Sequence, residues 1–181
     1  MQQQNFSKFP VLNTERLVLR RLALTDANEI YQSRSDAKVA ELIGKAPFTT
    51  IDQAVSYINM IDGVINKNES IFWAISYKST TALIGTICLW NFDIPNATVE
   101  LGYELLEAFR GKGIMAEAMV SVIGYAFDEM GVEKIIACPS VENLPSVKLL
   151  EKMGFELTQD NFSNTHEGVP GMLTYIITAG K

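Results

Sequence analysis

The stretch FRGKGIMAEA, residues 109–118, places a glycine-rich turn directly before an apolar helix. Glycine is costly inside regular structure, so Gly111 and Gly113 predict a turn at this point. From Ile114 onward, apolar residues recur at helical spacing. The helix is expected to end at Gly131, a residue type that favours C-terminal caps.

The junction between this turn and the helix predicts an anion site. The first amides of a helix lack internal partners, and the helix dipole places partial positive charge there. Glycines remove side chains from the approach, and Arg110 and Lys112 add charge, so a pyrophosphate could contact the amides directly. An ordinary glycine-rich turn is the alternative. The dinucleotide fingerprint fits poorly, because LEAFR separates the preceding strand from the glycines and no acidic residue ends the next strand, KIIAC.

Alternating apolar residues and turn signals on both sides of this junction predict a sheet. The expected strands are 14–22, 70–77, 82–90, 98–105, 134–141 and 171–178. The expected helices begin near Thr25 and near Thr50 and, in the second half, cover 114–130 and 143–153. Short turns join the first strands, whereas helices separate the later ones. This order predicts a mixed α+β fold around a single, mostly antiparallel sheet.

Composition limits the class of protein. The chain has 181 residues, 48% hydrophobic and 20% charged, which predicts one soluble domain over residues 1–181. A formal net charge of −6 argues against nucleic-acid binding. No apolar run approaches the roughly 20 residues of a membrane span, and the N-terminus lacks a signal pattern, so a cytoplasmic protein without membrane contact is expected. Cys88 and Cys138 lie in apolar runs without CxxC spacing, which favours buried thiols over a disulfide or a metal site.

Four stretches together resemble the GNAT superfamily of acetyl-CoA-dependent N-acetyltransferases. More narrowly, they resemble its Rim-type branch, which includes the ribosomal-protein N-terminal acetyltransferases. They are TERLVLR (14–20), VELGYEL (99–105), FRGKGIMAEA (109–118) and ENLPSVKLLEKMGF (142–155). The resemblance covers about residues 12–178. One departure is Met115, at the last position of the pattern Arg/Gln-x-x-Gly-x-Gly/Ala, where we expect the side chain to point away from the phosphates.

The resemblance implies where acetyl-CoA would bind. The strands 98–105 and 134–141 would splay apart, and the pantetheine arm would lie in the gap against the backbone of Tyr103, Glu104 and Leu105. The pyrophosphate would lie over the turn, so the cofactor-binding residues there would be Arg110, Gly111, Lys112, Gly113, Ile114, Met115 and Ala116. Asn143 would hydrogen-bond the cofactor, and its position also suits a helix N-cap. No metal is expected.

The reaction that the resemblance implies is attack of an amine on a thioester. Glu100 is the candidate base because glutamate is disfavoured in mid-strand, and a solvated carboxylate on an exposed strand face is the alternative. Glu104 shares its face and is the second candidate. Many relatives carry a tyrosine, as the acid that protonates sulfur, where this chain has Leu150. Ser146, one turn earlier, is therefore the candidate acid, and packing at the helix start is its alternative role.

The expected acceptor is a primary amine. An α-amine with a pKa near ~7.8 loses its proton at pH 7 at a cost of roughly 1 kcal/mol, against roughly 4–5 kcal/mol for a lysine side chain. One carboxylate therefore suits a protein N-terminus, while polyamines and other small amines stay open, as does a homodimer. A non-catalytic acyl-CoA sensor is the alternative class, and a dinucleotide-binding oxidoreductase is less favoured. His166 is expected to be a surface loop residue, with substrate contact as the alternative.

Overall fold

The computed structural model describes residue 1, residues 3–159 and residues 171–180. The helices are α1 (Ala27–Arg34), α2 (Ala37–Leu42), α3 (Ile51–Asn66), α4 (Ile114–Asp128) and α5 (Leu144–Lys152). The strands are β1 (Leu12–Asn13), β2 (Leu17–Arg20), β3 (Ile71–Tyr77), β4 (Gly85–Asp93), β5 (Thr98–Leu105), β6 (Lys134–Ala137), β7 (Glu156–Thr158) and β8 (Thr174–Thr178).

These eight strands form one sheet in the order β1-β2-β3-β4-β5-β6-β8-β7. Every neighbouring pair is antiparallel except β5 and β6, which are parallel. A parallel connection needs a crossover, and α4 supplies it between these two strands. The predicted mixed α+β class with a single, mostly antiparallel sheet is therefore confirmed.

Two hydrophobic cores lie against the sheet. The larger core joins the odd-numbered residues of β3, β4 and β5 to the apolar stripe of α4; its members include Trp73, Ile75, Ile87, Leu89, Val99, Leu101, Ala118, Met119 and Val122. The smaller core joins Ala74 of β3 to Ile30 of α1 and Ile58 of α3. Successive residues of a strand point to opposite faces, so the even-numbered residues of β4 and β5 face α1 and α3.

β4 departs from the sequence expectation. The strand expected over 82–90 is observed at Gly85–Asp93, three residues later at both ends. The register with β5 shifts between Trp90 and Asp93, so a bulge keeps β4 paired beyond Trp90. The segment between the expected strands 82–90 and 98–105 therefore begins as strand, and residues 94–97 make the turn.

The short helix α2 is not predicted by the sequence pattern. Its N-cap is Asp36, whose side chain accepts hydrogen bonds from the amides of Lys38 and Val39. The helix has six residues, of which only Ala40 is buried, so it is too short for apolar spacing to indicate a helix. Within the described part of the chain, no helix combines the length and the apolar character needed to cross a membrane.

Candidate functional site

Strands β5 and β6 pair over three residues and then separate. The paired residues are Thr98 with Lys134, Val99 with Ile135 and Glu100 with Ile136. β5 continues to Leu105, whereas β6 ends at Ala137. The backbone of β5 beyond Glu100 therefore borders a gap, at the place where the resemblance implies splayed strands.

The glycine turn lies at the end of this gap and leads into α4. Gly113 precedes the helix with a left-handed φ of 71°, and Gly111 has a φ of 74°. A Cβ is strained at such angles, which explains both glycines. The first hydrogen bond of the helix runs from the Glu117 amide to the Gly113 carbonyl, over 3.1 Å. Among the described residues, the amides of residues 111–116 meet no acceptor, so they are available to an anion.

Two cations are held beside these amides. Arg110 Nε donates to the Leu105 carbonyl over 3.2 Å, and Lys112 Nζ donates to the Ala108 carbonyl over 2.9 Å. Both side chains are exposed. They brace the turn that precedes α4, and their charge raises the positive potential at the open amides.

The side chains of the first helical turn point away from the gap. Ile114 and Met115 are buried in the larger core, and Ala116 is half-buried. The Met115 side chain accordingly lies away from the glycine turn. At residues 114–116 the groups that an anion could contact are backbone amides.

Arg16 also reaches the glycine turn, and sequence reasoning missed it. Arg16 Nη1 donates to the Lys112 carbonyl over 3.1 Å, and its Nε lies 2.6 Å from Glu117 Oε2. Glu117 Oε1 accepts from Thr14 Oγ1 over 2.5 Å and from the Arg16 amide over 2.8 Å. Burial alone would raise the pKa of Glu117, but these hydrogen bonds and the Arg16 charge outweigh it and lower that pKa. The signal available in the sequence was a pair of opposite charges, Arg16 in TERLVLR and Glu117 in FRGKGIMAEA.

Glu100 is buried where the strands separate, with 2% of its surface exposed. Trp90 lies directly opposite it on β4, so the two side chains share a face. Asn91 Nδ2 donates to Glu100 Oε2 over 3.4 Å. The alternative that Glu100 is a solvated carboxylate on an exposed strand face is wrong, because the face is covered.

Glu104 lies on the same face and is held by α1. Arg34 Nε lies 3.0 Å from Glu104 Oε2, and the Ser33 hydroxyl donates to Glu104 Oε1. Arg34 Nη2 also donates to the Tyr57 hydroxyl over 3.0 Å. The charge of Glu104 is therefore compensated by a cation in direct contact.

The two cysteines are free thiols on the Glu100 side of the site. Burial raises the pKa of Cys88 and that of Cys138 to about 12. A Cβ at Gly102 would lie 2.9 Å from Cys88 Sγ, so the glycine makes room for this thiol. Cys88 is buried as expected, whereas Cys138 is half-buried. In the described residues, no three His, Cys, Asp or Glu side chains are grouped as metal ligands.

The opposite face of β5 carries a pair of hydroxyl groups. The Tyr103 hydroxyl lies 2.6 Å from Ser146 Oγ in the first turn of α5. Burial raises the pKa of Tyr103 to about 12, although the Ser146 contact acts in the other direction. Asn143 caps α5, because its Oδ1 accepts from the Ser146 amide over 3.3 Å. Leu150 is fully buried in the larger core. The resemblance implies a role only for the backbone of Tyr103, so it gives no signal for this hydroxyl contact.

His166, for which substrate contact was the alternative, falls outside the described residues. A polar pocket of about 470 Å³ lies near α1; it is lined by Arg20, Arg21, Ala23, Thr25, Asp26, Glu29, Thr80, Thr81 and Ala82. Its two arginines pair with Asp26 and Asp62. The pocket therefore offers no uncompensated arginine charge to a ligand.

Comparison with known proteins gives a family match. A family model described as the acetyltransferase (GNAT) domain matches residues 16–156. The Bacillus licheniformis protein named uncharacterized N-acetyltransferase p20 is 36% identical over 145 residues, which cover 80% of this chain and 82% of that protein. The Bacillus subtilis protein named uncharacterized N-acetyltransferase YoaA is 32% identical over 148 residues, which cover 82% of this chain and 84% of that protein.

Solved structures share the fold at lower identity. A putative ribosomal-protein-serine acetyltransferase from Vibrio cholerae has a TM-score of 0.79 at 20% identity, covering 94% of this chain and 98% of its own. The spermidine N-acetyltransferase from Vibrio cholerae, solved with CoA and spermine, has a TM-score of 0.73 at 20% identity. The match covers 90% of this chain and 95% of that chain. The acetyltransferase MccE, solved with acetyl-CoA and AMP, has a TM-score of 0.72 at 22% identity. The match covers 91% of this chain and 93% of that chain.

Proposed function

The chain belongs to the acetyltransferase (GNAT) family, and on that premise we propose that it transfers the acetyl group of acetyl-CoA to a primary amine as a Rim-type enzyme. In this proposal residues 1–181 make one acetyltransferase domain. The observation that carries it is the gap between β5 and β6, which opens at Glu100 and ends at the glycine turn before α4. Acetyl-CoA supplies an activated thioester, and the residues around the gap bind it, orient it and move protons.

The residues present fit the shape and charge of CoA. A pyrophosphate needs converging donors without side chains in the way, and the amides of residues 111–116 meet no acceptor among the described residues. A Cβ placed at Gly111 would meet nothing within 4 Å, so the approach is open. The pantetheine arm is an extended chain with amide groups, and the backbone of Tyr103 to Leu105 would hydrogen-bond it as a strand would. Asn143 would contact it from α5.

Glu100 is proposed as the base in preference to Glu104. A general base must be ionised and within hydrogen-bond reach of the amine. Both carboxylate oxygens of Glu104 are engaged, Oε2 by Arg34 and Oε1 by Ser33, so proton transfer to Glu104 would disrupt an ion pair. Glu100 lies where the gap opens and is buried, so water competes little for its carboxylate.

Ser146 is proposed as the acid that protonates the leaving thiolate, and Tyr103 is proposed to replace the proton that Ser146 gives up. The two hydroxyls lie 2.6 Å apart, on the face of β5 opposite to Glu100. The base would thus act from one face of the sheet and the acid from the other. The pKa of about 12 for Tyr103 keeps its phenol protonated at neutral pH, so the pair always holds a proton to donate. Cys88 and Cys138 take no part, because an amine attacks the thioester directly.

A protein N-terminal α-amine is proposed as the acceptor. One buried carboxylate provides enough driving force for an amine whose deprotonation costs roughly 1 kcal/mol at pH 7. The structural neighbours include a putative ribosomal-protein-serine acetyltransferase and a spermidine N-acetyltransferase. These two names define the pair of amine classes to be compared, a peptide N-terminus and a polyamine.

Calorimetry and thiol release test the proposal in two steps. Acetyl-CoA, CoA and NAD are titrated separately into the protein. We expect acetyl-CoA and CoA to bind and NAD not to bind. Release of free CoA is then measured with peptides that begin with serine or alanine, with spermidine and with free amino acids. Binding without thiol release for any acceptor would favour a non-catalytic acyl-CoA sensor. Binding of NAD instead of CoA would overturn the proposal.

A further inference from the structure

The bulge in β4 inserts one residue next to the strand pair of Trp90 and Glu100. Trp90 pairs with Glu100 and Asp93 pairs with Thr98, so Asn91 and Phe92 together lie opposite the single residue Val99. Bulges insert an extra residue into one strand and re-aim its side chain. Phe92 packs against the larger core, which also contains Val99. Asn91 is therefore the inserted residue.

Asn91 has a backbone conformation that non-glycine residues seldom adopt. Its φ is 50°, in the left-handed region. In an unbroken strand, the residue after Trp90 would point to the face opposite Trp90 and Glu100. The inserted position and the left-handed backbone bring the Asn91 amide back to the Glu100 side, where Nδ2 donates to Glu100 Oε2 over 3.4 Å.

We infer that Asn91 is a positioning residue, which holds the Glu100 carboxylate in its ionised form and in one orientation. This inference rests on the proposed function, because it assigns Asn91 a role in the base. A primary amide that donates to a buried carboxylate stabilises the charged form and restricts rotation of the side chain. A base that must accept a proton from an amine needs both properties.

Other ionisable groups on this side of the sheet bear on the charge of Glu100. Among the described residues they include Cys88 on β4, Cys138 after β6, Glu104 on β5, Arg34 on α1 and Tyr57 on α3. The pKa values of the two thiols and of Tyr57 are raised, so these three groups are neutral at pH 7. Arg34 contacts Glu104 directly. Removal of the Asn91 amide changes none of these groups.

Carbon-13 NMR of the glutamate carboxyl groups tests the contact without any acceptor. The Glu100 signal is identified by its loss in Glu100→Gln. Asn91→Gly removes the amide and keeps the left-handed backbone without strain. We expect the pKa of Glu100 to rise by about 0.5–1 unit in this variant, because the charged form loses a donor. Asn91→Asp, which puts a second carboxylate at the same position, should raise it further.

Asn68→Gly is the matched control. Asn68 also has a left-handed φ, of 61°, and its side-chain Oδ1 accepts from the Phe6 amide over 2.7 Å. Its substitution removes a similar amide from a similar backbone and should leave the pKa of Glu100 where it was. An unchanged Glu100 pKa in both Asn91→Gly and Asn91→Asp overturns the inference.

Kinetics separate this inference from the proposed base. With the serine peptide or spermidine as acceptor, the acid limb of the kcat–pH profile should move up by the same amount in Asn91→Gly, with acetyl-CoA affinity retained. In a Glu100→Gln background, Asn91→Gly should cause no further loss of kcat. If Glu100→Gln alone turns over at the parental rate, the proposed base is wrong. If Glu100→Gln is slow and Asn91→Gly keeps the parental profile, the positioning role is wrong.

Discussion

The Tyr103 hydroxyl lies 2.6 Å from Ser146 Oγ and joins β5 to the first turn of α5. The contact lies on the face of β5 opposite to Glu100, and Asn143 caps the same helical turn. Either hydroxyl can donate to the other, so a proton given up by Ser146 can be replaced from Tyr103. In the proposed function, this serine and tyrosine from different elements would supply the proton that Leu150 cannot.

Removal of this pair should slow turnover modestly. We expect Ser146→Ala to lower kcat by at most ~100-fold, the low end for general acid catalysis, because a thiolate leaves tolerably without an acid. Tyr103→Phe keeps the ring and should have a smaller effect in the same direction. Thiol release gives kcat, and calorimetry shows whether acetyl-CoA still binds. Parental rates in both variants would mean that solvent protonates sulfur.

The two carboxylates of β5 should respond differently to neutralisation. Glu100→Gln removes the proposed base, so kcat should fall by about 100-fold or more, with the largest loss at low pH where the amine is protonated. Acetyl-CoA affinity should change little. Glu104→Gln is the matched variant, and its main effect should be on stability, because it leaves the Arg34 charge without its partner. A larger loss of kcat in Glu104→Gln would reverse the assignment.

The glycine turn should be sensitive to any side chain at Gly113. Gly113→Val places a branched Cβ at a φ of 71° beside the open amides, and acetyl-CoA should bind at least ~10-fold more weakly. Gly131→Val is the control, since Gly131 lies just beyond the other end of α4 with a φ of 65°. Both variants should lose about 1–2 kcal/mol of stability from backbone strain. Equal acetyl-CoA affinities in the two would contradict the anion site.

The Glu117 contact with Arg16 predicts a pH-dependent stability. The folded-state pKa of Glu117 lies below its ordinary value of 4.5, so its contribution is full above that value and is lost as the pH falls through the folded-state pKa. Glu117→Gln keeps an acceptor for Thr14 and loses the charge. It should therefore be less stable than the parent by about 1 kcal/mol at pH 7. Urea unfolding at several pH values checks this, and a difference that persists unchanged to pH ~3 would contradict it.

The local patterns of the sequence were sufficient for α4, for the glycine turn that precedes it and for the Asn143 cap. Each depends on residues close together in the chain, since helical spacing, positive φ and capping act over one or two turns. The order of strands and helices likewise predicted the fold class. The pattern could not locate the end of β4, because a bulge depends on the partner strand.

Tertiary structure alone decided which side chains meet at the site. Arg16 bonds to Glu117, 101 residues away, and Tyr103 contacts Ser146, 43 residues away. Strand alternation predicted on which face of the sheet Glu100 lies. The burial of its side chain depends on how α1, α3 and β4 pack around that face. Strand register and helix packing set these distances, and both are fixed by long-range burial of apolar surface rather than by neighbouring residues.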